Sequence, residues 1–309
     1  MSRRIWVGSS GFRINRERAE AVLLLAGPSG SGKTATAQAI ARTRFGDAER
    51  VIRVDLGNYF DDHTSATLVG SPPGYLGHSN PEAWLTRRLA RMGHGVLVLD
   101  EIEKADHALR MVLLELLDTG RLTDLAGFTA DARKFVIVIT SNVGSDKFTA
   151  NQLGFKTDDR QQDDLSNLVR TELNREFAPE FLNRIDDIIV FPSLPRDDLI
   201  ELCGRYVRQL AAQARVRGYQ LTVPDDVIAH LVDTSDTIRF GARPLQRAVD
   251  ESLGAPLSEL SPGHWSAVIT DSSVALVMSH DVPDSLDVSG VTGRFVLGAA
   301  RNAPTTFSR

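Results

Sequence analysis

The sequence predicts an α/β fold in which helices cover both faces of a doubly wound parallel sheet, followed by a smaller, mostly helical domain. Short continuous apolar runs alternate with helix-like segments over the first part of the chain. Strands without polar alternation are typical of a parallel sheet buried on both faces. A Gly-rich turn follows the first apolar run, and two prolines after residue 191 end the alternation, beyond which helical segments dominate.

Five apolar runs of strand length predict the sheet. They read AVLLLA from Ala21, RVIRVDL from Arg50, GVLVLD from Gly95, KFVIVIT from Lys134 and DIIVF from Asp187. Helical spacing of apolar residues appears between them, at 34–44, 81–91 and 106–117. The alternation predicts strand–helix–strand units.

The change from alternating strands and helices to mostly helical segments predicts that the chain has four parts. They are an N-terminal extension over 1–20, a large α/β domain over 21–191, a small domain over 192–281 and a tail over 282–309 without periodicity. In the small domain we expect helices at 197–214, 225–233 and 244–258, closed by a strand pair near 265–279.

Composition excludes several classes of function. A net charge of −5 with a pI near 5.8 provides no basic surface for nucleic acid, so we expect no nucleic-acid substrate. Cys203 is the single cysteine, which excludes a disulfide framework and a cysteine-based zinc site. No run approaches the ~20 apolar residues of a membrane span. We therefore expect a cytoplasmic protein that does not interact with membranes.

A phosphate-binding motif follows the first strand. The stretch GPSGSGKT consists of Gly27, Pro28, Ser29, Gly30, Ser31, Gly32, Lys33 and Thr34. Backbone amides of such a loop surround a β-phosphate, the lysine reaches the β- and γ-phosphate oxygens, and the threonine ligates Mg²⁺. The other interpretation is a Gly-rich connector that binds nothing. The strand–turn–helix context favours ATP with Mg²⁺ as cofactors.

Polar side chains end two further strands. Asp100 and Glu101 follow GVLVL, and Asn142 follows VIVITS. Carboxyl ends of parallel strands meet at one edge of the sheet, so Asp100 is predicted to hold Mg²⁺ and Glu101 to activate the attacking water. Asn142 could bridge the γ-phosphate and that water. The alternatives are a solvated strand end, a helix cap or ordinary turn chemistry.

The stretch SPPGYLG, residues 71–77, places Tyr75 and Leu76 on a loop of prolines and glycines. Such a loop is neither helix nor strand, and its tip normally carries polar side chains. Tyr75 and Leu76 are therefore either packed on the body of the protein or available to a partner.

These motifs, taken together, resemble the second ATPase module of Clp-type AAA+ protein unfoldases. The resemblance rests on GPSGSGKT, SPPGYLG, VLVLDEIEKA, GRLTDLAGF, ITSNVGS, PEFLNRIDDIIVF and FGARPLQRAV, in this order. It implies a P-loop AAA+ domain with a C-terminal lid domain, and an ATP-hydrolysing homo-hexamer that threads unfolded or misfolded protein through its pore.

The resemblance also implies roles for single residues. Tyr75, flanked by Leu76, would grip the substrate in the pore, and GRLTDLAGFTADARK would be a second pore loop, in which Asp124 and Phe128 have no assigned role. Arg184 would be an arginine finger for the neighbouring subunit, or else a partner of Asp186 or Asp187. Arg243 would contact the nucleotide in cis, or else only pack.

The triplet Leu153, Gly154 and Phe155 resembles the loop by which peptidase-coupled Clp ATPases dock on a separate peptidase. Packing of Leu153 and Phe155 on their own domain is the other interpretation.

Two competing functions remain. An ATP-binding scaffold or regulatory AAA+ protein would keep the fold with weak or no hydrolysis, although it would not need the pair Asp100 and Glu101. A nucleic-acid-directed P-loop ATPase would need a basic face.

Overall fold

The structure, a computed structural model, describes residues 17–59, 68–70, 82, 84–145, 159–270 and 273–278, with the side chains of 159–165 and 238–239 left aside. The loop of Tyr75 and Leu76, the triplet Leu153 to Phe155 and the predicted tail lie outside these residues. The chain divides into two compact units, Met1–Ser193 and Leu194–Arg309.

The first unit is built on a five-stranded parallel sheet. Its strands are β1 (Ala21–Ala26), β2 (Val51–Asp55), β3 (Gly95–Asp100), β6 (Phe135–Ser141) and β7 (Asp187–Val190). Their order across the sheet is β2-β3-β6-β1-β7. The helices are α1 (Lys33–Phe45), α2 (Leu85–Met92), α3 (His107–Thr119), α4 (Asp159–Glu176) and α5 (Pro179–Leu182), with 3₁₀ turns at Leu56–Asn58 and Ile102–Lys104.

Burial confirms the predicted α/β class. All residues of β1, β3 and β6 are buried. Alternate side chains of β1 enter two separate apolar clusters, with Val22 and Leu24 in one and Leu23 and Leu25 in the other. Since successive side chains of a strand point to opposite faces, the sheet is covered on both.

Two local features differ from the expectation. The helix predicted from residue 81 begins at Leu85, because Trp84 has extended backbone angles (φ −64°, ψ 144°). A hairpin of β4 (Arg121–Thr123) and β5 (Thr129–Asp131) follows α3. Its strands have three residues each, too short to show an alternating pattern.

The second unit has its own apolar core. Its helices are α6 (Arg196–Val216), α7 (Asp225–Thr234), α8 (Thr237–Phe240), α9 (Arg243–Val249) and α10 (Ala255–Ser258), with a π-helical turn at Asp250–Gly254. β8 (Gln220–Thr222) pairs in parallel with β9 (His264–Thr270), which pairs antiparallel with β10 (Ser273–Met278). Burial raises the pKa of the Cys203 thiol to about 11. Across the described part of the chain, no helix is long and apolar enough to cross a membrane.

Candidate nucleotide site

The loop between β1 and α1, residues 27–32, is the candidate phosphate cradle. Gly27, Gly30 and Gly32 have φ values of 146°, 73° and 96°, a region that L side chains rarely adopt. A Cβ atom at Gly27 would lie 2.2 Å from the carbonyl oxygen of Phe191. Glycine is therefore required at this position by both backbone angle and space.

Lys33, the first residue of α1, lies folded back over this loop. Its Nζ donates hydrogen bonds to the carbonyl oxygens of Gly27 at 2.6 Å and Pro28 at 2.9 Å. It also donates to Oδ1 of Asn142 at 3.0 Å. The lysine is only 8% exposed, so its ammonium group is fixed between the loop and the end of β6.

A continuous polar chain joins the phosphate loop to the carboxylate after β3. Asn142 accepts from Lys33 and donates through Nδ2 to Oε1 of Glu101 at 3.2 Å. The backbone N–H of Asn142 donates to Oε1 of Glu103 at 3.0 Å. β3 and β6 are adjacent and parallel, which is why residues far apart in sequence meet here. The structure thus brings Lys33, Glu101 and Asn142 together.

Asp100 is buried at the end of β3, 6% exposed. Its Oδ1 accepts a hydrogen bond from the Thr140 hydroxyl, and its Oδ2 accepts from the guanidinium of Arg53, with Nε at 2.9 Å. Both partners stand on neighbouring strands, and sequence reasoning missed both. A charged residue inside the apolar run of β2 was the available signal for Arg53.

Glu101 has an unusual backbone conformation. Its φ of 59° makes it the single non-glycine residue with positive φ in the described part of the chain. Its N–H donates to Oγ1 of Thr140 at 3.0 Å. Left-handed backbone costs a non-glycine residue roughly 1–2 kcal/mol, and such residues cluster at functional sites. Nζ of Lys104 lies 2.5 Å from Oε2 of Glu101, and this carboxylate raises the pKa of Lys104.

The donor set fits a magnesium–phosphate complex. The hydroxyl of Ser31 is buried and has no hydrogen-bond partner among the described residues, so it is available to an acceptor in the cradle. Thr34 and Asp100 offer oxygen ligands, which Mg²⁺ prefers. No group of three or more His, Cys, Asp and Glu residues suited to a metal is found in the described ranges. An ion held partly by substrate phosphates, as Mg²⁺ usually is, needs no such cage.

Arg184 is partly exposed after α5. Its Nε lies 3.4 Å from Oδ1 of Asp118, and its Nη1 donates to the carbonyl oxygen of Glu180 at 3.2 Å. Among the described contacts Arg184 has no ion pair with the expected alternatives Asp186 and Asp187, and Oδ2 of Asp186 accepts from the N–H of Val22 at 2.8 Å. Asp118 takes their place because α3 ends beside this segment. In the second unit, Arg243 is exposed at the first residue of α9.

The predicted second pore loop is the β4–β5 hairpin. Asp124 at its tip is buried, and its Oδ1 accepts from the N–H groups of Ala126 at 3.0 Å and Phe128 at 2.9 Å. Its Oδ2 accepts from the Thr86 hydroxyl at 2.9 Å. The guanidinium of Arg87 lies 3.9 Å from the ring centre of Phe128. Sequence reasoning left Asp124 and Phe128 without a role. In the structure, Asp124 accepts hydrogen bonds from the backbone of this hairpin tip and Phe128 packs against Arg87.

Comparison with known proteins agrees with this geometry. The family described as AAA domain (Cdc48 subfamily) matches residues 18–188, and the C-terminal, D2-small domain of ClpB protein matches residues 194–262. Over 236 residues the chain is 40% identical to the negative regulator of genetic competence ClpC/MecB of Bacillus subtilis. It is 39% identical over 236 residues to the chaperone protein ClpB of Oceanobacillus iheyensis.

Both alignments cover 75% of this chain but 29% of the relative, so the chain spans less than a third of the length of these proteins. The fold is similar to Hsp104 in a closed-state cryo-electron microscopy reconstruction with ATPγS and FITC-casein. The TM-score is 0.75 at 28% identity, covering 88% of this chain and 47% of that one. These similarities confirm the resemblance inferred from the motifs.

Proposed function

This chain belongs to the AAA domain family, Cdc48 subfamily, and from that premise we propose that it is an ATP-dependent protein unfoldase or remodelling chaperone. The observation that carries the proposal is the polar chain from Lys33 through Asn142 to Glu101. It connects a phosphate-binding loop to a carboxylate that can act as a general base. A loop that served only as a connector would not need this link.

The phosphate loop would bind the triphosphate through its backbone amides, the N-terminus of α1 and Lys33. Lys33 now donates to two carbonyl oxygens of its own loop. Phosphate oxygens are stronger, charged acceptors, so we expect the ammonium to exchange these bonds for the β- and γ-phosphates. Mg²⁺, held by Thr34 and Asp100, would neutralise charge on the phosphate oxygens when bound.

Glu101 would orient and deprotonate the attacking water, and Asn142 would align that water with the γ-phosphate. The side chain of Glu101 is directed to this place because its backbone N–H donates to Thr140 and its Oε1 accepts from Asn142. A base held within hydrogen-bond reach of its substrate contributes about 10²–10⁴-fold to the rate.

We further propose that the active form is a homo-hexameric ring. The relatives to which the chain is similar are named as chaperones and Clp proteins, which supports a ring with protein substrates. Arg184 would enter the neighbour's site and spread its charge over the γ-phosphate. Arg243 would contact the nucleotide of its own subunit.

Tyr75 and Leu76 would grip the unfolded chain, and Leu153 to Phe155 would dock a separate peptidase.

The central test measures ATP hydrolysis by the parent protein and by Glu101→Gln. We expect the parent to turn over ATP and Glu101→Gln to lose at least about a hundredfold in kcat while still binding nucleotide. Glu115→Gln, the same substitution on the exposed side of α3, should behave like the parent. A parent with nucleotide binding but no turnover favours the alternative, an ATP-binding scaffold.

Ring formation and substrate gripping have separate tests. Light scattering after size exclusion should show assembly of Glu101→Gln with ATP. Arg184→Ala should lose hydrolysis while keeping nucleotide binding, because the missing group belongs to a neighbour's site.

Tyr75→Ala should hydrolyse ATP within a few-fold of the parent but fail to unfold a tagged test protein, and Tyr75→Phe should unfold it. Parent-level unfolding by Tyr75→Ala would refute the gripping role.

A further inference from the structure

Lys104 contacts the proposed general base twice. It lies at the end of the 3₁₀ turn Ile102–Lys104, and its backbone N–H donates to the carbonyl oxygen of Glu101 at 3.0 Å. Its Nζ lies 2.5 Å from Oε2 of the same glutamate. The 3₁₀ turn that follows Glu101 therefore brings the ammonium group of Lys104 back to the Glu101 side chain.

The two carboxylate oxygens of Glu101 thus have different partners. Oε1 accepts from the amide of Asn142 at 3.2 Å, while Oε2 contacts Lys104. A carboxylate held at one oxygen can still rotate, whereas contacts at both oxygens fix its plane. A charged donor also holds more strongly than an amide does.

Gly57 leaves the space that the Lys104 side chain occupies. A Cβ atom there would lie 3.3 Å from Cδ of Lys104, 3.1 Å from Oδ1 of Asp55 and 3.7 Å from Oε2 of Glu101. The first two distances are tighter than most real Cβ contacts. The φ of Gly57 is not in the positive region, so a side chain at this position would meet Asp55 and Lys104 rather than backbone strain.

We propose that Lys104 is a positioning residue that fixes the plane of the Glu101 carboxylate, with Gly57 leaving room for its side chain. The proposal rests on hydrolysis of ATP at this site. Lys104 does not touch the reacting atoms in this proposal; it acts through Glu101. The lysine side chain is 55% exposed, so its replacement leaves the core intact.

The test is steady-state ATP hydrolysis, with kcat and KM measured separately. Lys104→Met should lower kcat about tenfold, a typical loss for a positioning partner, and leave KM within about twofold. Lys104→Arg, which keeps the charge, should recover most of the loss, and Gly57→Ala should give an intermediate kcat. Lys134→Met is the matched control, because Lys134 is exposed at the opposite end of the sheet, before β6, and should match the parent.

A second arm separates positioning from loss of structure. In a Glu101→Gln background, Lys104→Met should cause no further fall in the residual rate, because both act through one carboxylate. An unchanged or higher kcat for Lys104→Met overturns the inference, as does an additive loss in the double variant. If the parent hydrolyses no ATP, the proposed function fails and takes this inference with it. An active parent with an unaffected Lys104→Met refutes only the role of Lys104.

Discussion

Two buried aspartates of the first unit have similar partners and different consequences. Asp100, at the end of β3, and Asp124, at the tip of the β4–β5 hairpin, are 6% and 4% exposed. Each accepts a hydrogen bond from a threonine hydroxyl, Thr140 or Thr86, and each lies near an arginine, Arg53 or Arg87. Burial and partner type alone do not tell them apart.

The source of the remaining contacts does distinguish them. Asp124 accepts from two backbone amides of its own turn, so its Oδ1 closes a local loop. Asp100 is held by residues of the neighbouring strands β2 and β6 and directly precedes Glu101. A buried aspartate that satisfies local backbone has a structural role. We propose that Asp100, held from neighbouring strands at the carboxyl edge of a parallel sheet, is placed for a ligand, because ligands of such sheets bind at that edge.

The largest expected effect is on hydrolysis by Asp100→Asn. The substitution keeps the shape but removes the charge that would bind Mg²⁺, so ATP turnover should fall by at least about a hundredfold. Thermal unfolding should change little, because the amide oxygen still accepts from Thr140 and the half-exposed Arg53 can move away. Steady-state kinetics and a melting curve on the same sample check both expectations. A parent-like rate would remove the distinction between the two aspartates.

Asp124→Ala should have the largest effect on stability. Its loss leaves the N–H groups of Ala126 and Phe128 and the hydroxyl of Thr86 without their acceptor, which should cost about 3 kcal/mol in the free energy of unfolding. Urea unfolding followed by circular dichroism measures it. The same substitution at exposed Asp118, also in the first unit, should cost under about 1 kcal/mol. Equal losses of unfolding free energy at the two positions would contradict the structural role of Asp124 at the hairpin tip.

Arg87→Met should be milder. The guanidinium of Arg87 lies over the ring of Phe128, and its Nε is 3.6 Å from Oδ2 of Asp124. Removing both contacts should lower the free energy of unfolding by about 1 kcal/mol, within the range of a partly exposed cation–π pair. Arg91→Met, at an exposed position of the same helix, is the control and should unfold like the parent. The midpoints of urea unfolding of Arg87→Met and Arg91→Met, each compared with the parent, measure this difference.

The smallest effect concerns acid. The hydrogen bond from the Arg133 side chain lowers the pKa of Asp131, at the base of the hairpin, from 3.8 to about 2. A carboxyl group whose pKa is lowered in the folded state stabilises the fold at pH values above its unfolded pKa. This stabilisation is lost as the pH falls from about 3.8 to about 2. Because the side chain is 49% exposed, the change should be small. An NMR titration of the Asp131 carboxyl should give a midpoint near 2, and a midpoint near 4 would exclude the ion pair in solution.

Much of this architecture follows from sequence pattern. The five strand runs recur as β1, β2, β3, β6 and β7, since continuous apolar runs between Gly-rich or polar boundaries have few other stable arrangements. The phosphate loop is local in sequence, so eight consecutive residues predict its position between β1 and α1. The grouping of Asp100, Glu101 and Asn142 follows from one rule, that parallel strands end at the same edge.

Only the tertiary structure decided which polar and charged side chains pair. The contact of Arg53 with Asp100 depends on β2 lying beside β3, and the link from Lys33 to Asn142 depends on β6 lying beside β1. Arg184 pairs with Asp118, which is far from it in sequence, because the end of α3 lies beside it, whereas Oδ2 of Asp186 accepts from the N–H of Val22. Hydrophobic periodicity specifies which face of a strand is buried. It does not specify strand order or register, and these determine which polar side chains meet at the edge of the sheet.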